Sequence, residues 1–233
     1  MAGLLTEPQW FFGTDIRLIP EWFRGLDSYA QLIVFCITLF ISIYAFRIYK
    51  LTNKKESRNL GVSFLFISAS YLLWAILNLT FVAGLAGVMC SRLGICMADI
   101  VVDLAIYLFM TLNTLGILIL TYTTVSNSTL KSFTLTLFVI YILSIFTTNS
   151  LLYYYILTAI MFALLAYYST KHYMAQKTGK LLIMCLAFVL LLVKNLVFIV
   201  ALYYVSVYLI GILLNLLAYL LLLYDMVMVL RGK

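Results

Sequence analysis

Seven long apolar stretches, separated by short polar connections, constrain this 233-residue chain more than any other feature. They are Tyr29–Tyr49, Leu60–Val88, Met97–Thr123, Leu130–Thr147, Leu151–Tyr168, Leu181–Val205 and Val207–Leu230. A helix needs about 20 mostly apolar residues to cross a hydrocarbon core of about 30 Å, and every one of these runs comes within reach of that length. Hydrophobic residues make up 66% of the chain and charged residues 10%. Soluble domains carry about 25% charged residues, so this chain has too little charge to build a water-facing surface. The apolar–polar alternation of a membrane β-barrel is absent. The two prolines, Pro8 and Pro20, both precede the first run, so no proline kinks the spans. The expectation is an all-α integral membrane protein, a seven-transmembrane helix bundle in which each backbone amide closes its own helix.

The charges orient that bundle. A net charge of +7 in a soluble protein would suggest nucleic acid, but here the basic residues follow topology instead. Arg47, Lys50, Lys54, Lys55, Arg58, Lys131, Lys171, Lys177, Lys180, Arg231 and Lys233 fall on alternate connections and the C-terminus. The opposite side holds only Arg17, Arg24 and Arg92. The positive-inside rule places the first group in the cytoplasm, with the N-terminus outside and the C-terminus inside. The cluster Lys50, Lys54, Lys55 and Arg58 is expected to meet anionic lipid headgroups, in a multi-pass protein of the cell membrane. No nucleic-acid partner is expected.

Residues 1–28 lack the basic n-region and the apolar h-region of a cleavable signal peptide. Trp10, Phe11, Phe12, Trp22 and Phe23 alternate there with Glu7, Asp15, Arg17, Glu21 and Asp27. Residues 1–28 are therefore expected to form an extracytoplasmic interfacial segment, and residues 29–233 the seven-helix domain. The connections are about a dozen residues at most on the basic side, too short for an effector module, so a signal is expected to leave through a cytoplasmic or membrane protein partner.

The polar residues inside the spans are the candidates for chemistry. Lys194 falls about 20 Å from one end of its run and about 16 Å from the other at 1.5 Å per residue. A charge there costs about 2.5–3.5 kcal/mol on insertion scales, so Lys194 is expected to face the bundle interior. Asp99 and Asp103 lie one turn apart near the outer end of the third span, and an intramembrane Lys194–Asp103 pair is expected, with Asp99 nearer the mouth. Asn78, Asn113, Asn195 and Asn215 form a second set, since a side-chain amide in lipid needs a partner. They suit either interhelical bonding or a neutral polar ligand. Cys90 and Cys96 bracket the second connection and are expected to close a disulfide on the oxidising side. The tyrosines at span ends, including Tyr153–Tyr155, Tyr167, Tyr168, Tyr203 and Tyr204, read as interfacial belts. No metal-ligand set, phosphate loop or nucleophile motif is present, and the only histidine is His172, so neither catalysis nor a metal or other cofactor is expected.

A parallel three-plus-one-plus-three repeat is also expected. Aligning spans five and six on one and two places Lys171 on Lys54 and Asn195 on Asn78. Residues 112–122 and 214–224 match in their Leu-Asn start and Tyr end. In topology, and in the passage Tyr44–Leu51 where Arg47, Tyr49 and Lys50 lead into a charged loop, the chain resembles the stand-alone relatives of seven-helix sensor domains that precede prokaryotic histidine kinases. That resemblance implies ligand or membrane-state sensing relayed to another protein. Asn113 and Asn215 look like the pocket asparagines of SWEET-type transporters, although spans one and five here contain no proline. That second resemblance implies a mid-membrane polar site for a small solute, and a scaffold subunit of a membrane complex is the third reading.

Overall fold

The computed structural model describes residues 10–11, 14–15, 24–82, 97–125, 128–144, 150–177 and 179–231. Among these the chain forms seven α-helices: α1 (Arg24–Thr52), α2 (Lys55–Val82), α3 (Met97–Thr124), α4 (Ser128–Ser144), α5 (Ser150–Gln176), α6 (Gly179–Ala201) and α7 (Tyr208–Arg231). A short hairpin, β1 (Trp10–Phe11) paired antiparallel with β2 (Thr14–Asp15), precedes them. Six helices are long and apolar enough to cross a membrane. The seventh, α4, is 17 residues with an apolar stretch at Ser132–Leu143. The chain is thus an all-helical polytopic membrane protein by length and composition. The Cys90–Cys96 loop lies outside the described residues, as does Pro20.

Local chemistry explains the helix ends. Asp27 in the first turn of α1 and Glu56 in that of α2 complement the positive N-terminal dipole, and Lys50 in the last turn of α1 complements the negative end. Both α1 and α5 stop on a residue in the left-handed region, Asn53 at φ 55° and Lys177 at φ 48°. Each donates its backbone N–H to the carbonyl of the tyrosine four residues back, Tyr49 at 2.8 Å and Tyr173 at 2.7 Å. This is a left-handed cap that satisfies an orphan carbonyl and reverses the chain.

The helices pack as a closed ring. α1 packs on α2, α2 on α3, α3 on α5, α5 on α6, α6 on α7, and α7 returns to α1. α4 sits outside this ring against α3 and α5. Only Thr134, Leu137 and Tyr141 of its described side chains are buried, a single stripe at helical spacing. Gly116 lets α3 approach α2: a Cβ there would stand 2.5 Å from Ile67 Cγ1 and 2.8 Å from the Ser63 carbonyl oxygen. Gly211 on α7 receives the Phe198 ring of α6, whose nearest atom would be 2.8 Å from a Cβ.

Two helix boundaries differ from the apolar runs. α1 begins at Arg24, so Asp27 and Ser28 belong to the first span and are fully buried. α6 ends at Ala201, and a 3-10 turn over Val205–Val207 leads into α7. Lys194 therefore lies seven residues, about 10 Å, from the end of its helix, shallower than the run Leu181–Val205 implies.

Candidate ligand site in the polar half of the bundle

The end of the ring nearest Asp27 collects polar and aromatic side chains from all six of its helices. The Asp27 carboxyl ties three helices together. Its Oδ1 accepts from Gln31 Nε2 at 3.1 Å and from the Tyr208 hydroxyl at 3.3 Å, and its Oδ2 accepts from Asn78 Nδ2 at 2.8 Å. The Trp74 side chain interacts with the same carboxyl. All these groups donate, and an ionised carboxylate is the acceptor that such a shell suits. The stripe Asp27, Gln31, Val34, Thr38, Ile41, Ser42 and Ala45 is buried throughout. Asp27 is thus one end of an ordinary helical face, not part of a separate surface segment.

A run of aromatic contacts links Lys194 to this carboxyl. Its Nζ lies 5.5 Å from the centroid of Phe198, one turn along α6. Phe198 stacks on Tyr155 at 5.4 Å and 23°, and tilts against Tyr208 at 5.5 Å. The Tyr208 hydroxyl closes the chain back to Asp27. Ala30, Ala201 and Ile212 fill the space around these rings. Lys194 is only 5% exposed. Among the described residues it has no ion-pair or hydrogen-bond partner, and its recorded contact is the Phe198 ring face. A desolvated cation–π contact is worth about 2 kcal/mol, less than the several kcal/mol that burying an uncompensated charge costs. Asp99 and Asp103 lie on α3, but their side chains fall outside the described set.

Deeper in the same half the amides and phenols pair across helices. Asn113 Nδ2 donates to the Tyr154 hydroxyl at 2.6 Å, joining α3 to α5. The Tyr71 hydroxyl donates to Asn215 Oδ1 at 3.1 Å, joining α2 to α7. Thr158 donates to Asn195 Oδ1 at 3.3 Å, and Asn195 Nδ2 donates to its own helix at the Leu191 carbonyl. Phe109 bridges the first two pairs, 6.2 Å from Tyr71 and 6.1 Å from Tyr154. Asn113 and Asn215 are thus linked through three rings, Tyr154, Phe109 and Tyr71. Two buried acceptors in this half, Gln31 Oε1 and Asn113 Oδ1, have no hydrogen-bond partner. Buried polar atoms are ordinarily satisfied, and an orphan marks a place where a further donor belongs.

The four asparagines were legible as inward-facing, because an amide has no place in lipid. Their partners were not. Tyr154 reads as part of an interfacial belt with Tyr153 and Tyr155, yet it is fully buried while Tyr153 is exposed. Consecutive helical residues point about 100° apart, so three adjacent tyrosines cannot share one surface. Tyr168 is likewise buried, whereas Tyr167, Tyr203 and Tyr204 are exposed. Tyr71 was missed, although its mid-span position leaves no interface for it to occupy. Asp27 and Gln31 were missed too. Their spacing of four, continued by Val34, Thr38 and Ile41, was the available signal.

The opposite end of the bundle carries Lys50, Lys54, Lys55, Arg58, Lys171 and Lys177, all exposed around the two tight turns. Among the described residues no group of three or more potential metal ligands occurs. Comparison with protein-family models, with curated proteins and with solved structures finds no match to this chain.

Proposed function

We propose that this protein is a seven-helix membrane receptor or sensor. It binds a small ligand among the polar and aromatic side chains around Lys194 and passes occupancy to a protein partner. The observation that carries this reading is Lys194, a buried amino group beside the Phe198 ring with no ion pair among the described residues. The orphaned acceptors Gln31 Oε1 and Asn113 Oδ1 in the same half support it. A purely structural lysine would be matched by the groups packed around it. The excess of basic residues on alternate connections supports an N-terminus outside, so that the ligand enters from the outer side or from the membrane. The exposed lysines and Arg58 at the other end then face the cytoplasm, anionic lipid and the partner. The resemblance to sensor domains that precede histidine kinases agrees with this assignment.

A transporter is the second reading, and one observation favours it. α1–α2–α3 and α5–α6–α7 pack in the same order, α3 on α5 matches α7 on α1, and both hairpins turn on equivalent left-handed residues. Two parallel copies around an axis along the membrane normal would look like this. A thermal-stability screen of small-molecule classes on the protein in lipid nanodiscs tests ligand binding. The expected result is a compound class that stabilises the native protein and loses its effect in Phe198→Ala. The absence of any stabilising class contradicts the reading. Counterflow of a stabilising compound in proteoliposomes separates the two: a receptor binds without flux, and a transporter exchanges it.

A further inference from the structure

We infer that the group bound at Lys194 is the carboxylate of a small monoanion with an apolar, preferably aromatic, body. The inference rests on the ligand-binding reading above and adds the ligand's charge and chemical class. An ammonium offers three donors and no acceptor. None of the three is used by the described residues. The Asp27 carboxyl does not supply the charge. Both its oxygens accept hydrogen bonds from Gln31, Asn78 and Tyr208, and it forms no ion pair with Lys194. Among the described residues no carboxylate answers the ammonium, and an anionic ligand would.

The surroundings limit what kind of anion fits. Among the described side chains the other cations, Arg47, Lys50, Lys54, Lys55, Arg58, Lys171 and Lys177, are exposed toward the far turns, and the side chains of Arg24, Lys131, Lys180 and Arg231 lie outside the described set. A dianion such as a phosphate monoester would bring a second buried charge with no counterion, at several kcal/mol. A single carboxylate matches a single ammonium in a charge-assisted hydrogen bond. The cluster packed around Phe198 is otherwise aromatic or aliphatic: Tyr155, Tyr208, Ala30 and Ile212. Such surroundings favour an apolar body with few polar groups.

Benzoate, benzamide and benzylamine share a ring and differ in charge, which makes them suitable probes. The experiment measures their binding to the full chain in nanodiscs by calorimetry and thermal shift. Benzoate is expected to bind and stabilise, with benzamide at least about 30-fold weaker, the loss expected when a charged partner is removed from a buried pair. Lys194→Met should fold, hold or raise its stability without ligand, and lose the preference for benzoate over benzamide. Lys194→Arg should retain part of the preference. If benzamide or benzylamine binds as tightly as benzoate and Phe198→Ala weakens them, the ligand site stands and the carboxylate assignment falls. If none of the three binds, the carboxylate assignment falls here as well, and the ligand-binding reading is left to its own screen. If Lys194→Met and Asp103→Asn each destabilise the protein and the double variant restores it, the charge is neutralised within the chain and the carboxylate assignment is overturned.

Discussion

The two ends of the helix ring satisfy their polar groups in different ways. Toward the Lys54 end the buried hydroxyls bond to backbone carbonyls. Ser63 donates to Asn59, Thr121 to Ile117 and Ser169 to Ala166 within their own helices, and Ser42 to Gly61 across α1 and α2. The Thr170–Cys185 contact at 3.0 Å is the exception. The rest of that half is filled by Ile41, Ala45, Phe64, Leu165, Ala166 and Ala187. Toward the Asp27 end the side chains bond to one another across helices, through Asp27–Asn78, Asp27–Tyr208, Asn113–Tyr154 and Tyr71–Asn215. In the first half most buried hydroxyls are satisfied by a backbone carbonyl of their own helix. The second half relies on contacts between helices, and among the described residues two of the three buried acceptor atoms without a hydrogen bond, Gln31 Oε1 and Asn113 Oδ1, lie there with Lys194, while the third, Asp225 Oδ1, lies toward the Lys54 end.

Substitutions can break this contrast. The largest effect is expected for Asp27→Ala, which strands the Gln31, Asn78 and Tyr208 donors together. Each buried orphan costs about 1–3 kcal/mol, so a loss of about 3 kcal/mol or more is expected from denaturation in lipid nanodiscs. Gly116→Ala should follow at about 2 kcal/mol, because the new methyl meets Ile67 and a backbone oxygen of Ser63 in the Lys54 half. Tyr154→Phe should cost about 1 kcal/mol, leaving both polar atoms of Asn113 unmatched. Thr121→Val should change stability by less than about 0.5 kcal/mol, since the Ile117 carbonyl keeps its helical amide. If Thr121→Val proves as damaging as Tyr154→Phe, the two halves are not built differently.

The architecture was largely written in the hydrophobic runs, and the site was not. Six of the runs return as spanning-length helices because lipid leaves an apolar segment of that length few alternatives. Boundaries slipped where the physics is local. The run through Val200–Val207 has no proline, glycine or charge to mark the break after Ala201, and the helix stops by a 3-10 turn. At the start of α1, Asp27 reads as a surface acid by composition, and only its place at the head of a buried stripe reveals it. Lys194 and the asparagines stood out because their polarity conflicts with lipid. Tyr71, Tyr154 and Tyr208 did not, because tyrosine is at home at an interface and in a core alike. Their hydroxyl partners lie 144, 41 and 181 residues away in sequence, beyond any local pattern.

The central claim is that the Asp27 half admits a polar solute and the Lys54 half does not. Thiol accessibility measures this directly, in a chain whose Cys36, Cys90, Cys96 and Cys185 are replaced by alanine and whose new cysteines are introduced one at a time. Gln31→Cys, Asn113→Cys and Asn215→Cys report on the first half, and Ser63→Cys, Thr121→Cys and Ala187→Cys on the second. A charged, membrane-impermeant methanethiosulfonate is expected to label the first three from the Asp27 side, with benzoate slowing the reaction, and to leave the last three unmodified. Equal labelling of both sets, or labelling of the second set alone, would contradict the account.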